Sequence, residues 1–255
     1  MNPTGNTILI TGGGSGIGRA LAEAFHKLGN RVVIAGRRRS VLAEVAAANP
    51  GMAYAELDID DPVAIRAFAA RITAEHPALN VLINNAGIMK PEDLASDRYD
   101  PAEAEAIIGT NLLGPIRLTA ALLPHLRAQP RSAVVNVTSG LAFVPLVATP
   151  TYSATKAAVH SYTVSLRHQL RGTTTEVIEL IPPYVQTDLT PGQASDPRAM
   201  PLADFIAEVM QIFTTRPDVA EVVVERCKPL RFAAENHAFD TVFSALNPAG
   251  SPHGH

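Results

Sequence analysis

A glycine-rich turn wedged between an apolar strand and an amphipathic helix constrains this chain more than any other feature. Thr7-Ile8-Leu9-Ile10 reads as a buried strand, and Thr11-Gly12-Gly13-Gly14-Ser15-Gly16-Ile17-Gly18 follows at once. Ile17, Ala20, Leu21, Ala24, Phe25 and Leu28 then repeat at i, i+3, i+4 and i+7, the stripe of a half-buried helix. Glycines let the backbone approach an anion, and a helix N-terminus favours negative charge. Gly12, Gly16 and Gly18 give the spacing Gly-x-x-x-Gly-x-Gly. The commoner Gly-x-Gly-x-x-Gly is absent, because Ile17 falls where its third glycine would stand. Strand, turn and helix in that order point to a phosphate site, with Gly12, Gly14, Ser15, Gly16 and Ile17 as its contacts.

The same alternation continues. Strands are expected at Arg31 to Ala35, Met52 to Leu57, Leu79 to Ile83, Ala133 to Thr138, Glu176 to Ile181 and Glu221 to Glu225. Helices are expected at Ser40 to Ala48, Pro62 to Glu75, Pro101 to Ala128, Thr151 to Arg171 and Leu202 to Thr214. Continuous apolar strands between amphipathic helices predict a doubly wound parallel sheet of the Rossmann type, an α/β fold covered on both faces. No linker or repeat divides the chain, so a single domain is expected over residues 1–250. Its dinucleotide-binding half covers about 1–130 and its catalytic and substrate half about 131–250, with a disordered tail at 251–255. The Pro/Gly/Ser-rich stretch from Thr190 to Pro201 is expected to be a mobile loop over a site.

The 255 residues carry a formal net charge of -3 and a single cysteine, Cys227. That charge offers no basic surface for nucleic acid or an anionic membrane, so neither is expected as a partner. One cysteine cannot close an internal disulfide, which fits a reducing compartment and a cytoplasmic protein. The apolar runs read as too short to span a bilayer, and no leader pattern opens the chain. The histidines lack metal-ligand spacing: His125, His160 and His168 fall in helical patterns, so no metal is expected.

The end of the second strand bears on which nucleotide would bind. A site preferring NAD places an acid there to hold the ribose hydroxyls. This chain reads Gly36-Arg37-Arg38-Arg39, with no carboxylate until Glu44. Guanidinium groups at Arg37 and Arg38 suit a 2′-phosphate, so the expected cofactor is NADP(H).

Tyr152 and Lys156 stand four apart on a predicted helix and so project from one face. An ammonium there is expected to lower a phenol pKa from about 10 toward neutrality, making Tyr152 a proton-exchanging group. Ser139 follows the strand Val134-Val135-Asn136-Val137-Thr138. Its hydroxyl therefore lies at the carboxyl edge of the sheet, where open α/β folds bind ligands. Asn84-Asn85-Ala86-Gly87 follows another strand to the same edge. Pro115 lacks the amide that would bond the carbonyl of Asn111, which frees that carbonyl to hold a water and predicts a kink.

Taken in order, the glycine turn, Asp58, Asn84 to Gly87, Asn111, Ser139, Tyr152, Lys156 and Thr187 resemble the short-chain dehydrogenase/reductase family, in its shorter single-domain branch. The segments Ser139 to Pro145 and Glu179 to Pro183 further resemble its DltE-like subgroup. The resemblance implies Tyr152 as general acid/base and Ser139 as the group that holds the substrate oxygen. It implies Lys156 as the ribose-binding partner of the tyrosine, and Asn111 as the holder of a relay water. Asp58 and Ile59 would flank the adenine, Asn85, Ala86 and Gly87 would line the cofactor channel, and Pro182, Val185 and Thr187 would complete it. Pro183 departs from the family pattern by replacing the usual glycine. Leu141, Phe143, Val144, Leu146 and Tyr184 would form an apolar pocket for a small carbonyl or alcohol. The implied reaction is NADP(H)-dependent interconversion of the two by a homodimer or tetramer. A non-catalytic redox sensor or scaffold that binds NADP(H) is the alternative, and an epimerase or dehydratase of the longer branch is disfavoured by the short chain.

Overall fold

The computed structural model describes residues 1–248; the expected tail at 251–255 lies outside the described residues. Strands β1 (Thr7–Thr11), β2 (Arg31–Gly36), β3 (Ala53–Glu56), β4 (Val81–Asn84), β5 (Ser132–Val137), β6 (Thr175–Ile181) and β7 (Glu221–Val223) form one parallel sheet. Their order is β3-β2-β1-β4-β5-β6-β7. The expected strands are all present, with ends moved by one or two residues, as boundaries commonly are. This is the doubly wound Rossmann-type sheet, built as a single domain.

Successive strand residues point to opposite faces, and both faces are apolar because both are covered. Ile8, Ile10, Ile34 and Val81 pack with α1 (Gly16–Lys27), α2 (Arg39–Ala48) and a later helix that follows β6. Leu9, Val33, Leu82 and Val134 pack on the other side with α3 (Pro62–Glu75) and two further helices. Each large side chain buried this way contributes about 1.5–3 kcal/mol. Asp61 starts α3 by accepting from Val63 N at 2.7 Å and Ala64 N at 3.1 Å, with Pro62 at the first helical position.

The helix expected over Pro101 to Ala128 is divided into α4 (Ala102–Ile108), a π turn (Gly109–Leu113) and α5 (Gly114–Arg127). Gly114 N bonds Gly109 O, one residue further back than α-helical spacing. The break demanded by Pro115 thus takes the form of a widened turn. The run Ala102–Arg127 has the length and hydropathy of a membrane span, contrary to the expectation that every apolar run is too short. Here its Leu118, Leu122 and Leu126 are buried against α3 and the sheet.

The helix α6 (Pro150–Gln169) carries Tyr152 and Lys156, and α7 (Leu202–Thr215) is the helix that follows β6. Beyond β7 lie α8 (Lys228–Arg231) and α9 (Phe239–Leu246), short elements that periodicity does not predict. Phe239 and Phe243 stack at 6.0 Å, and Asn247 accepts from Val147 N at 2.8 Å and donates to Pro145 O at 3.0 Å. The chain's last described turn is thereby tied to the loop between Ser139 and Tyr152.

Candidate active site

The strand order reverses between β1 and β4, and a crevice opens at the carboxyl ends of those strands. Thr11, the last residue of β1, ties the two edges together. Its Oγ1 accepts from Asn85 N at 3.0 Å and Ala86 N at 3.1 Å, while Asn85 Nδ2 donates to Thr11 O at 3.0 Å. Gly12 has φ +67°, and a Cβ there would stand 3.0 Å from Ala86 Cα. Ser15 is extended at the start of α1 and its side chain makes no capping bond. The first-turn amides are therefore available to an anion, so the turn fits a dinucleotide pyrophosphate.

Arg37 and Arg38 line the same crevice. Arg37 Nη1 stands 3.7 Å from Asp60 Oδ2, and Arg38 Nη2 donates to Ser15 Oγ at 3.4 Å. Both guanidiniums are exposed, so these contacts are weak and exchangeable. Asp60, which the sequence reading did not single out, also accepts from Thr110 Oγ1 at 2.8 Å. Asp58 is exposed and accepts from Asp60 N at 3.1 Å; its neighbours Leu57 and Ile59 line the crevice and Asp58 does not.

The crevice has a volume of about 680 Å³ and runs from the arginines past Asn85, Ala86 and Gly87 to Ser139, Tyr152 and Lys156. Pro182, Pro183, Val185 and Thr187 complete its wall, so Pro183 keeps a place there despite replacing a glycine. Ser139, Tyr152 and Lys156 are buried, as is Asn111, the fourth catalytic candidate. Ser139 Oγ accepts from Leu141 N at 3.1 Å and lies beside the Tyr152 phenol, which it favours in the ionised form. Lys156 Nζ donates to Val137 O at 2.8 Å and stands 5.5 Å from the Tyr152 ring centroid.

The acidity of this pair corrects the expectation from spacing. Burial pushes the Tyr152 phenol up to about 12, with the Ser139 bond acting in the opposite direction. Burial also lowers Lys156 to about 8. The ammonium donates to a carbonyl and stands at a distance from the ring, and desolvation of the buried phenol outweighs its attraction for phenolate.

Asn111 sits in the π turn, and its side chain is fully engaged. Its Oδ1 accepts from Ile88 N and its Nδ2 donates to Ile88 O, each at 2.8 Å. Any water it holds must therefore use its main-chain carbonyl. None of the five expected pocket residues lines the crevice. Val144 is completely buried, and Phe143 is half-buried, packed against the core between His160, at 4.7 Å, and the Arg231 guanidinium, at 4.6 Å. Leu141 and Leu146 are half-buried beside the crevice, and Tyr184 is exposed with its hydroxyl bonded to Asp196 at 3.2 Å. Ile88, Met89, Val185 and Leu189 are apolar residues that line it instead.

Gln193, within the stretch expected to be mobile, is buried. Its Nε2 donates to Val185 O at 2.7 Å and Thr187 Oγ1 at 3.1 Å. Behind Ser139, the buried Glu179 accepts from Thr138 Oγ1 at 2.7 Å and pairs with His160 Nδ1 at 2.8 Å, which raises the His160 pKa. No sequence pattern joins these residues, because β5, α6 and β6 bring them together.

Comparison with known proteins agrees with this geometry. Residues 6–198 match the family model described as short chain dehydrogenase. The chain is 40% identical over 250 residues to an uncharacterised oxidoreductase, DltE, of Bacillus subtilis, covering 97% of this chain and 98% of that protein. A closed-form serine dehydrogenase complexed with NADP+ superposes with a TM-score of 0.74 at 27% identity, covering 82% of this chain and 89% of that one. A short chain dehydrogenase/reductase from Burkholderia phymatum in complex with NAD shares the fold, with a TM-score of 0.79 at 21% identity over 99% of both chains. With its glycine turn, its parallel sheet and Ser139, Tyr152 and Lys156 gathered on one crevice, this chain belongs to the short-chain dehydrogenase/reductase family of oxidoreductases.

Proposed function

We propose that this protein reduces a hydrophobic or aromatic ketone to a secondary alcohol, using NADPH. The observation that carries the direction is the Tyr152 phenol, held protonated by burial and lining the crevice together with Ser139. A phenol with a pKa of about 12 is a proton donor at neutral pH and a poor resting base. When bound in the crevice, NADPH would supply the hydride for the carbonyl carbon. Ser139 Oγ holds and polarises the carbonyl oxygen, and Tyr152 gives that oxygen its proton as negative charge builds on it. Lys156, 5.5 Å from the ring centroid, then stabilises the phenolate left behind. The hydride and the proton together account for the two hydrogens of the alcohol.

The choice of NADPH over NADH is supported by Arg37 and Arg38 lining the crevice, with glycine at position 36. The serine dehydrogenase holding NADP+ supports this choice, and the Burkholderia neighbour with NAD makes it a point to test. Apolar lining from Ile88, Met89, Val185 and Leu189 supports the substrate class. Exposed Ile108 and Leu113 beside α5, with Val164 on α6, support a homodimer through those helices. The buried free thiol of Cys227 fits a cytoplasmic setting.

The test is a panel of aliphatic and aromatic ketones assayed by NADPH and NADH absorbance. Oxidation of NADPH by an apolar ketone supports the reading. NADPH binding with no oxidation across the panel would favour the redox-sensor alternative.

A further inference from the structure

Glu92 is a carboxylate, 8% exposed, that is bonded to Thr151 at the start of α6 and to Tyr99. Its Oε1 accepts from Thr151 N at 2.9 Å, and its Oε2 accepts from Thr151 Oγ1 at 2.7 Å and from the Tyr99 hydroxyl at 3.1 Å. Its own amide donates to Ala148 O at 2.9 Å. Thr149 occupies the capping position of α6, yet its side chain makes no capping bond and its buried Oγ1 finds no partner among the described residues. The capping acceptor for the first turn is thus supplied from 59 residues upstream. A helix leaves its first amides unsatisfied, and a carboxylate is a strong acceptor for them.

The residue after Thr151 is Tyr152. Four residues before Glu92, the backbone of Ile88 is clamped on both sides by the Asn111 side chain. Residues 88–92 therefore form a strap, held by Asn111 at one end and holding the turn that carries Tyr152 at the other. We propose that Glu92 is a positioning residue for the reaction: by capping α6 through Thr151 it fixes the Tyr152 hydroxyl against Ser139. This rests on the reading of Tyr152 as the proton donor. The titratable and charged groups around the turn are Tyr152 and Lys156 on α6 and Tyr99 and Glu92 on the loop. Asp100 lies beside Tyr99, and Lys90 on the strap is paired with Glu103 of α4.

The test uses full-length enzyme carrying Glu92→Ala, Glu92→Gln or Glu92→Asp, with Tyr152→Phe as reference and an active ketone from the panel. A small displacement of a catalytic group costs on the order of 10²-fold, so Glu92→Ala should lower kcat about ten- to a hundredfold. NADPH Kd should stay within about twofold, because the pyrophosphate turn and the arginines are untouched. Glu92→Asp should recover part of the loss. Glu92→Gln keeps an acceptor for Thr151 N but removes a negative charge from the helix N-terminus. Phenolate is then less opposed, and the alkaline limb of the kcat profile should move to lower pH. A kcat for Glu92→Ala above about half of wild type, or a fall matched by an equal loss of NADPH affinity, overturns the proposal. If Glu92→Ala does not fold, Glu92→Gln decides: wild-type kcat with an unmoved alkaline limb overturns it as well. Turnover retained by Tyr152→Phe would instead overturn the functional reading, independently of the Glu92 result.

Discussion

Asn85 and Gly18 are in mutual steric dependence: a Cβ on Gly18 would stand 2.3 Å from Asn85 Nδ2 and 2.4 Å from Gly12 O. The same Nδ2 donates to Thr11 O, so the amide cannot withdraw without losing one of the bonds between the ends of β1 and β4. Alanine normally stabilises a helix over glycine by about 1 kcal/mol. Here Gly18→Ala should instead destabilise by about 1–3 kcal/mol, the range for overpacking. It should also weaken NADPH binding. Gly36→Ala meets nothing nearer than Leu42 Cδ2 at 3.9 Å and should be nearly neutral. Thermal unfolding and a fluorescence titration with NADPH compare the two; equal behaviour would contradict the steric argument.

Tyr152→Phe should remove turnover and leave NADPH binding nearly unchanged. The ring still packs in its buried site, but the transferable proton is gone. Loss of general acid–base catalysis costs about 10²–10⁴-fold, so more than a tenth of wild-type kcat would sink the assignment.

Gly36→Asp with Arg37→Ala should reverse the preference from NADPH to NADH. The space around Gly36 accepts a side chain, and the new carboxylate would hold the ribose hydroxyls while repelling a 2′-phosphate. Each charge-assisted bond from arginine contributes about 1.5–3 kcal/mol, roughly ten- to a hundredfold in affinity. The check is kcat/KM for both cofactors. A wild type that uses NADH as well as NADPH would show the assignment to be wrong.

NADPH affinity should weaken as pH rises above about 8, where Lys156 loses its proton. The sign follows if Lys156 holds the cofactor ribose as proposed, because the ammonium is a stronger donor than the neutral amine. Lowering the pH below about 8 protonates the amine and restores binding. A titration of Kd against pH should show this break in the wild type and not in Lys156→Met.

The stretch from Thr190 to Pro201 is pinned through Gln193 to Val185 and Thr187, and Met200 N donates to Tyr184 O at 2.8 Å. Gln193→Ala should release it and raise KM more than it lowers kcat. In the wild type, substrate should slow hydrogen exchange across this stretch. Equal rates with and without substrate would exclude a gating role.

The sheet and the cofactor crevice were legible in the sequence because their signals are local. Ile8-Leu9-Ile10 and Val33-Ile34 declare doubly buried strands, and the glycines between β1 and α1 declare a close approach of backbone. Gly36-Arg37-Arg38 states its charge without reference to any distant residue. The four-residue spacing of Tyr152 and Lys156 likewise placed both groups on the crevice.

What tertiary structure decided depends on neighbours far away in the chain. Phe143 looks like a pocket residue, yet Arg231 and His160 hold it against the core, and Met89 lines the crevice instead. Spacing made Tyr152 look acidified by Lys156. Acidity, however, is set by how completely surrounding elements exclude water, and burial moved it the other way. The cap of α6 comes from Glu92 rather than from the adjacent Thr149. Periodicity and spacing report what a residue's own element requires. Desolvation, capping from afar and the choice of wall residues arise only when separate elements pack.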